Sequence, residues 1–432
     1  MNAFENTTGR PPEEETMSDQ VLLRQSTRRD FLKIGGLGVV GLVGGGALAA
    51  VAQGGSSDAG SLAAHITPSL KRRVASTDGF ITLPGRPDPY DLYVFGFKEV
   101  GFSDSLSAVV NAAKGKAQVP SPILAVPENT GFQLNLTNVG FTGRPDLDDS
   151  HTIHWHGFRD AIPIFDGVPE VSIAVGVSRM FPYLYVPRHP GTYIYHCHFE
   201  DSEHVQMGMT GIVFVRPAMG PKFVFNDATT AFDREFSLLL NEVDVRAHDG
   251  LIAIQEFVWS EYRPQYWIIN GRSYPHTVEP NKGEPGADPD LDNQPISSLI
   301  QVRGGDRALL RVSNLGYEQH SMVLQGIEME VVGEDATPLG ALSYSTNTLY
   351  IGPGESREVL FTAPAFDASS ASGASTYGPW NTYFFKNRNY DRQTNGGAPG
   401  LGGMVTEVRV FDPSNVPALP LQGPNDLNKT YA

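Results

Sequence analysis

A single cysteine, few charged residues and an excess of negative charge set the first limits on this sequence. Cys197 is the only cysteine among 432 residues, so no disulfide can form within the chain. The formal net charge is −16, which argues against binding to nucleic acid or to an anionic membrane surface, because both attract positive charge. A chain of this charge is compatible with cationic substrates and with metal ions.

Helical periodicity is weak throughout, whereas turn-forming residues are abundant. The 46 glycines and 32 prolines, with only 19% charged residues, favour many short strands joined by turns. Hydrophobic residues make up 40% of the chain, enough for packed cores, and the length predicts two or three domains. We therefore expect an all-β protein.

The first 52 residues have the pattern of an export signal. Residues 26–33 read STRRDFLK, and a weakly apolar, glycine-rich run follows over 34–52. Paired arginines before such a run are typical of a twin-arginine signal. Glycine interrupts the run too often for a stable membrane anchor, although an uncleaved anchor is the alternative interpretation. We predict a signal peptide over 1–52, a linker over 53–75, and export to the periplasm or the extracellular space.

The rest of the chain repeats itself once. The matched segments are 123–138 with 299–314, 151–157 with 320–326, and 191–198 with 381–388. Each segment alternates apolar and polar residues in the way of a β-strand. Short strands at this spacing predict two copies of one β-sandwich. We place the copies at 76–220 and 221–412, followed by a C-terminal tail over 413–432.

Most of the histidines cluster in the first copy, around Cys197. Seven of the eleven lie between residues 151 and 204: His151, His154, His156, His189, His196, His198 and His204. Side chains alternate along a strand, so His154 shares a face with His156. In the same way His196 shares a face with His198, while Cys197 between them points the opposite way. The pattern indicates two sites on opposite sides of one strand.

Cys197 has the neighbours expected of a blue-copper centre. That centre combines a soft thiolate, two imidazoles and a weak axial thioether. His204 and Met209 follow Cys197 on the connecting segment, and His151 can complete the set because it faces away from His154. Without these neighbours, Cys197 would be interpreted as an inert buried side chain. We predict surface or core roles for four further histidines, His65, His189, His248 and His276.

The segments HTIHWHG and YHCHFEDSEHVQMGM resemble the paired copper motifs of multicopper oxidases. The internal repeat resembles their tandem cupredoxin domains, over about residues 76–412, which implies two tandem cupredoxin-like Greek-key β-sandwiches. The resemblance implies that type 1 copper is held by His151, Cys197, His204 and Met209. It implies type 2 and type 3 copper ligands at His154, His156, His196 and His198. Electrons would pass from the type 1 copper through Cys197 to the neighbouring histidines.

The second copy departs from the family pattern. Val323 and Gln325 stand where the first copy has His154 and His156. The residues Lys-Asn-Arg at 386–388 stand where the first copy has His-Cys-His at 196–198. Of the histidines in these motifs, the second copy keeps only His320, at the position that corresponds to His151. The family's trinuclear copper cluster takes eight histidines, four from each of two domains, so we predict that this chain lacks the complete cluster. A cationic lysine and arginine in place of imidazoles would also repel copper.

Three functions remain open from the sequence. The first is an exported copper oxidoreductase of the multicopper oxidase type, which takes electrons from a small molecule, a metal ion or a redox protein. The second is a blue-copper electron carrier without oxidase turnover. The third is an enzyme similar to copper nitrite reductases, in which His156 and His196 would match ligands of the catalytic copper. Related two-domain proteins form trimers, so a homotrimer is among the assemblies that the resemblance implies.

Overall fold

The computed structural model describes residues 68–86, 91–415 and 417–421. Residues 1–52, where we expect the export signal, lie outside the described residues. These described residues form one compact unit. No helix within the described ranges has the length and the apolar character needed to cross a bilayer.

The first half of the unit is a sandwich of two four-stranded sheets. Its strands are β1 (Leu70–Ile81), β2 (Leu92–Val100), β3 (Leu124–Pro127), β4 (Phe132–Asn138), β5 (His154–His156), β6 (Met180–Tyr185), β7 (Gly191–His196) and β8 (Thr210–Arg216). One sheet has the order β2-β1-β4-β6 and the other β3-β8-β7-β5. Strand β1 begins at Leu70, so the end of the segment 53–75 is strand, where the sequence predicted linker.

The second half is a larger sandwich. Its strands are β9 (Arg234–Val243), β10 (Tyr266–Ile269), β11 (Ile300–Arg303), β12 (Arg307–Asn314), β13 (His320–Leu324), β14 (Met329–Glu334), β15 (Thr337–Pro338), β16 (Tyr344–Thr346), β17 (Thr348–Ile351), β18 (Ser356–Thr362), β19 (Trp380–Asn387) and β20 (Val405–Phe411). One sheet has the order β10-β9-β12-β18-β14-β15, with β16 paired to β14. The other has the order β11-β20-β19-β13-β17.

The two sandwiches share one topology, which confirms the all-β fold and the duplication. The order β2-β1-β4-β6 corresponds to β10-β9-β12-β18, and β3-β8-β7-β5 corresponds to β11-β20-β19-β13. Parallel pairing of β1 with β4 matches that of β9 with β12, and β3 with β8 matches β11 with β20. Alternating apolar residues explain the cores: Phe132, Leu134 and Leu136 of β4 are all fully buried between the sheets.

Equivalent asparagines hold equivalent loops in the two copies. The side-chain amide of Asn138 donates to the carbonyl oxygens of Asp149 (2.7 Å) and Val175 (2.9 Å). The amide of Asn314 donates to the carbonyl oxygens of Glu318 (2.8 Å) and Ile351 (3.4 Å). Because Asp149 lies two residues before His151, and Glu318 two before His320, each asparagine fixes the segment that carries a histidine.

A buried ionic network joins the two sandwiches. The carboxylate of Glu235 accepts hydrogen bonds from the guanidinium groups of Arg216 (2.5 and 2.8 Å) and Arg311 (3.0 Å). Burial raises the pKa of Glu235, but the two guanidinium groups outweigh burial and lower it overall. Arg311 also donates to the hydroxyl of Thr192 (2.9 Å), whose N–H donates to Glu358 (2.6 Å). These contacts fix β7 of the first sandwich against β12 and β18 of the second.

Helical structure is short and lies between strands. The α-helices are α1 (Leu106–Ala113), α2 (Asp201–Gln206) and α3 (Val245–Ile252). Single 3₁₀ turns occur at Pro163–Phe165, Ala228–Thr230, Trp259–Glu261, His276–Val278, Pro289–Leu291, Gly340–Leu342 and Tyr390–Gln393. Helix α2 matters most for the site, because it connects β7 to β8 and carries His204.

Candidate copper centres

The thiol of Cys197 lies between two imidazoles in the core of the first sandwich. Its Sγ is 3.3 Å from Nδ1 of His204 and 3.7 Å from Nδ1 of His151. All three side chains are fully buried. Cys197 directly follows β7, His204 lies on α2, and His151 pairs with Val175 just before β5. Three segments that are distant in sequence therefore converge on one sulfur atom.

The surroundings of Cys197 suit a thiolate. The backbone N–H of Thr152 points at Sγ, at 3.4 Å, and stabilises negative charge on the sulfur. Met209 is fully buried in the same core cluster, and its carbonyl oxygen accepts the N–H of Cys197 at 3.2 Å. Met209, which directly precedes β8, is thus held next to Cys197 through the backbone. These four residues are the ones that the sequence predicted for type 1 copper.

The two imidazoles have different electrostatic surroundings. Burial lowers the pKa of His151 well below its ordinary value, and the neighbouring His204 lowers it further, so a neutral ring offers a lone pair. Burial also acts to lower the pKa of His204, but the Cys197 thiolate and Asp149 outweigh it and raise the pKa to about 10. Nε2 of both rings is buried without a hydrogen-bond partner. A thiolate beside two imidazoles with Nδ1 directed at it fits copper.

The remaining histidines of the motif form a second cluster on the other side of β7. His154 and His196 are direct cross-strand partners on β5 and β7. One ring nitrogen from each of His154, His156 and His196 lies within 4.8 Å of the other two. His198 lies at the edge of this group, with ring centroids 5.1 Å from His154 and 5.5 Å from His196. The structure thus brings the four predicted type 2 and type 3 residues to one place.

Backbone carbonyls orient two of these rings. Nδ1 of His154 is 2.6 Å from the carbonyl oxygen of Asp166, and Nδ1 of His196 is 2.8 Å from that of Cys197. Donation from Nδ1 leaves the lone pair on Nε2. Burial lowers the pKa of His154 and His156, and lowers that of His196 to about 3. Burial thus favours the neutral form of the His154, His156 and His196 rings, and neutral imidazoles suit a divalent metal ion.

His320 in the second sandwich corresponds to His151, but its ring is fully occupied. Nε2 lies 3.2 Å from the carboxylate of Glu242. Nδ1 lies 3.1 Å from the amide of Asn387 and 3.1 Å from the guanidinium of Arg392. Asn387 stands in the place of Cys197, and its N–H bonds to the carbonyl oxygen of Met404 as that of Cys197 bonds to Met209. A hydrogen-bonded network thus fills the position that corresponds to the candidate copper centre of the first sandwich.

The other positions of the second copy also lack metal ligands. Val323 pairs with Lys386 across β13 and β19, in the register of His154 and His196. Gln325 is exposed, as is Arg388, whose guanidinium donates to the hydroxyl of Thr348. His248 is buried with Nδ1 at 2.6 Å from the carbonyl oxygen of Tyr93 and Nε2 at 3.3 Å from the Gln206 amide. Both its nitrogens are engaged, so it supplies no substitute ligand.

Several residues near the two clusters carried no signal in the sequence. Asp166 orients His154 through its own backbone carbonyl group, and any residue type at position 166 could supply that group. Gly354, from the second sandwich, has its Cα against His156: a Cβ there would lie 2.7 Å from Nε2. Glu200, the residue before α2, and Glu203 within α2 both precede His204, and the i, i+4 spacing of Glu200 and His204 is the one signal that could have been used.

Models of the multicopper oxidase family match this sequence twice, at residues 106–219 and 247–376. Curated relatives include laccase-12 of Arabidopsis thaliana, 26% identical over 265 residues, which are 59% of this chain and 40% of that protein. A copper resistance protein A homologue of Pseudomonas syringae pv. tomato is 30% identical over 135 residues, 30% of this chain and 20% of that protein. The chain thus spans about 40% of the length of the laccase, and less of the second relative.

Solved structures with the same fold include a blue copper oxidase from Nitrosomonas europaea, with a TM-score of 0.59 and 22% identity, covering 83% of this chain and 94% of that one. A copper nitrite reductase from the same organism has a TM-score of 0.54 and 16% identity, covering 83% and 99%. The fold is therefore a pair of tandem cupredoxin domains, and the class is that of the cupredoxin copper proteins. Within this class, the chain belongs to the multicopper oxidase family, a family of copper-dependent oxidoreductases, and its cofactor is copper.

Proposed function

We propose that this protein is a copper oxidoreductase with one blue-copper centre in the first domain and an incomplete second copper site. The observation that carries the proposal is the position of Cys197 Sγ, fully buried at 3.3 and 3.7 Å from two imidazole nitrogens. Copper in such a site accepts and releases single electrons. His151, Cys197, His204 and Met209 would hold it.

The chain itself supplies a route for electrons between the two proposed sites. Cys197 is bonded covalently to His196 and His198, and its carbonyl oxygen accepts the Nδ1–H of His196 at 2.8 Å. The sulfur that holds the first copper is thus connected to the second cluster both through the backbone and through this hydrogen bond. The buried side chains around Cys197 exclude water from the route.

The second cluster is the part in which this chain departs from a laccase-type oxidase. Its four histidines all come from the first domain, and the corresponding residues of the second domain are Val323, Gln325, Lys386 and Arg388. We infer that His154, His156 and His196 hold one copper, with His198 beside them. Cooperative four-electron reduction of dioxygen needs several coppers acting together, so we expect weak or no laccase-type turnover.

Optical and electron paramagnetic resonance spectra of copper-loaded protein test the first centre. The wild type is expected to be blue, with the narrow hyperfine splitting of a type 1 site, because a Cys197 thiolate bound to copper gives intense charge-transfer absorption. Cys197→Ser should lose the band and keep the far-ultraviolet circular dichroism of the β-fold. A colourless copper-loaded wild type would contradict the assignment.

We also propose that the protein works after export, and that the reductant is a small molecule, a metal ion or a redox protein, not a nucleic acid. The twin-arginine motif at residues 26–33 supports export, and laccase and copper resistance relatives are consistent with an extracellular or periplasmic location. Cell fractionation tests the export route. The protein should be found in the periplasmic or extracellular fraction, and Arg28→Lys/Arg29→Lys should remove it from that fraction.

A homotrimer is the assembly that we propose. Ile162, Ile164, Val171 and Ile173 expose 41–52% of their surface on the segment around Asp166, next to the histidine cluster. A patch of this kind is typical of a protein interface. Sedimentation equilibrium should give three chains per particle, and Ile164→Asp/Val171→Asp should give monomers.

A further inference from the structure

Helix α2 carries His204, yet little within the helix itself fixes its position. It has only six residues, Asp201–Gln206, and isolated helices of this length are not stable in water. Its N-cap residue, Glu200, has the left-handed angle φ +47° and makes no side-chain capping hydrogen bond. A metal ligand, however, has to be held within about 0.5 Å of its working geometry. Contacts from outside the helix therefore decide how His204 lies against Cys197.

Tyr317 of the second sandwich holds the first turn of α2. Its phenol hydroxyl donates to the backbone carbonyl oxygen of Ser202 and lies 3.5 Å from that of Asp201. Burial raises the pKa of Tyr317, so the hydroxyl keeps its proton and acts as the donor. The backbone of Tyr317 is itself fixed, because its N–H donates to the buried carboxylate of Glu242 on β9. One tyrosine thus connects a strand of the second sandwich to the start of α2.

Gln206 holds the other end of the helix. Its side-chain amide donates to the backbone carbonyl oxygen of Glu242 at 3.1 Å and lies 3.3 Å from Nε2 of His248. Since Nδ1 of His248 lies 2.6 Å from the carbonyl oxygen of Tyr93, Nδ1 donates there and Nε2 accepts from the amide. Gln206 is buried, so water does not replace these bonds when they are lost. Glu242 therefore contacts both ends of α2, one directly and the other through Tyr317.

We propose that Tyr317 and Gln206 are positioning residues of the blue-copper centre: they fix α2 to the second domain and thereby set the distance between His204 and the copper. This role rests on the proposed blue-copper centre. The second domain would then contribute to that centre without supplying a ligand. When either contact is lost, His204 can move away from the metal. Such a movement weakens the binding of Cu²⁺ more than that of Cu⁺, because the higher charge gains more from a short bond, and the reduction potential rises.

Hydrogen exchange of the full chain, measured with and without copper, tests the two contacts. The backbone N–H of His204 donates to a carbonyl oxygen one turn earlier, at 3.0 Å, and reports on the helix. Tyr317→Phe and Gln206→Met should each speed exchange at α2 about fivefold in the copper-free chain, the usual effect of one lost hydrogen bond. Tyr262→Phe is the control and should change exchange less than twofold, because it removes a hydroxyl that lies 3.4 Å from the same Glu242 carboxylate instead of at α2.

The effect on the centre is tested by redox titration and electron paramagnetic resonance of the copper-loaded protein. Tyr317→Phe and Gln206→Met should each change the hyperfine splitting and raise the potential by about 40 mV, the equivalent of a fivefold loss of Cu²⁺ affinity alone. Tyr262→Phe should leave both unchanged. Tyr317→Phe removes only a hydroxyl near the surface, so it provides the test if the buried change at Gln206 prevents folding.

Two results overturn the inference: unchanged exchange at α2, or faster exchange at α2 with an unchanged potential. A colourless copper-loaded wild type refutes the blue-copper centre, and the positioning role with it, even where exchange at α2 responds as expected. A blue wild type whose Tyr317 and Gln206 variants have the same potential refutes only this inference.

Discussion

His320 occupies in the second domain the place that His151 occupies in the first, yet the two rings have opposite surroundings. Nδ1 of His151 faces a sulfur, and its Nε2 has no hydrogen-bond partner. Both nitrogens of His320 are engaged by Glu242, Asn387 and Arg392. In the duplicated fold, one position therefore belongs to the proposed metal site, and the other is a hydrogen-bonded part of the core.

His320→Ala should destabilise the protein without affecting the blue centre. Removing the ring leaves a cavity and takes a partner from the buried carboxylate of Glu242, at a cost of about 3 kcal/mol. Urea unfolding followed by circular dichroism measures the change. His151→Ala is the matched change in the first domain and should abolish the blue band. Loss of blue colour in His320→Ala would contradict the assignment of the two positions.

Gly354→Ala should disturb the second cluster alone. The new Cβ would lie 2.7 Å from Nε2 of His156, and the ring would have to move. We expect less copper bound at the second site and an unchanged blue band, measured by copper analysis and optical spectroscopy. Gly397→Ala is the control, because Gly397 has nearly the same backbone angle, φ +77° against +78°, with no atom within 4 Å of the new Cβ. Equal copper content in both variants would contradict this role of Gly354.

His248 should make stability depend on pH. Burial lowers its pKa from 6.5 to about 4, so the folded state keeps the ring neutral. Its contribution to stability is complete above pH 6.5 and is lost as the pH falls towards 4, because the unfolded chain binds the proton first. Between pH 7 and 4.5 the wild type should lose about 2 kcal/mol more than His248→Asn. Parallel pH profiles of the two unfolding free energies would contradict this.

Much of the fold and of the two clusters could be predicted from the sequence. Period-two alternation identified the strands, and the His-x-His spacing placed His196 and Cys197 on opposite faces, because side-chain direction along a strand is a local property. The start of β1 at Leu70 was missed, since its first residues, Leu70 to Arg73, include three cationic side chains and pair in parallel with the distant β4. Parallel pairing with a strand that is distant in sequence leaves no recognisable pattern in the residues of β1 itself.

The features of the site that could not be predicted are contacts between segments that are distant in sequence. Asp149 reaches His204 across a gap of more than fifty residues, and Gly354 reaches His156 from the other domain. Glu242 and Arg392 close the network around His320 from two further segments. Each depends on the tertiary packing of the two domains, which residue type and spacing do not encode in any one stretch of chain.

The central claim, that the second copper site is incomplete, is tested most directly by the copper content of purified, fully loaded protein. The ligands available predict one or two coppers per chain: one at Cys197 and at most one at the histidine cluster of His154, His156 and His196. Three or four coppers per chain, with rapid dioxygen consumption on a phenolic reductant, would contradict the account.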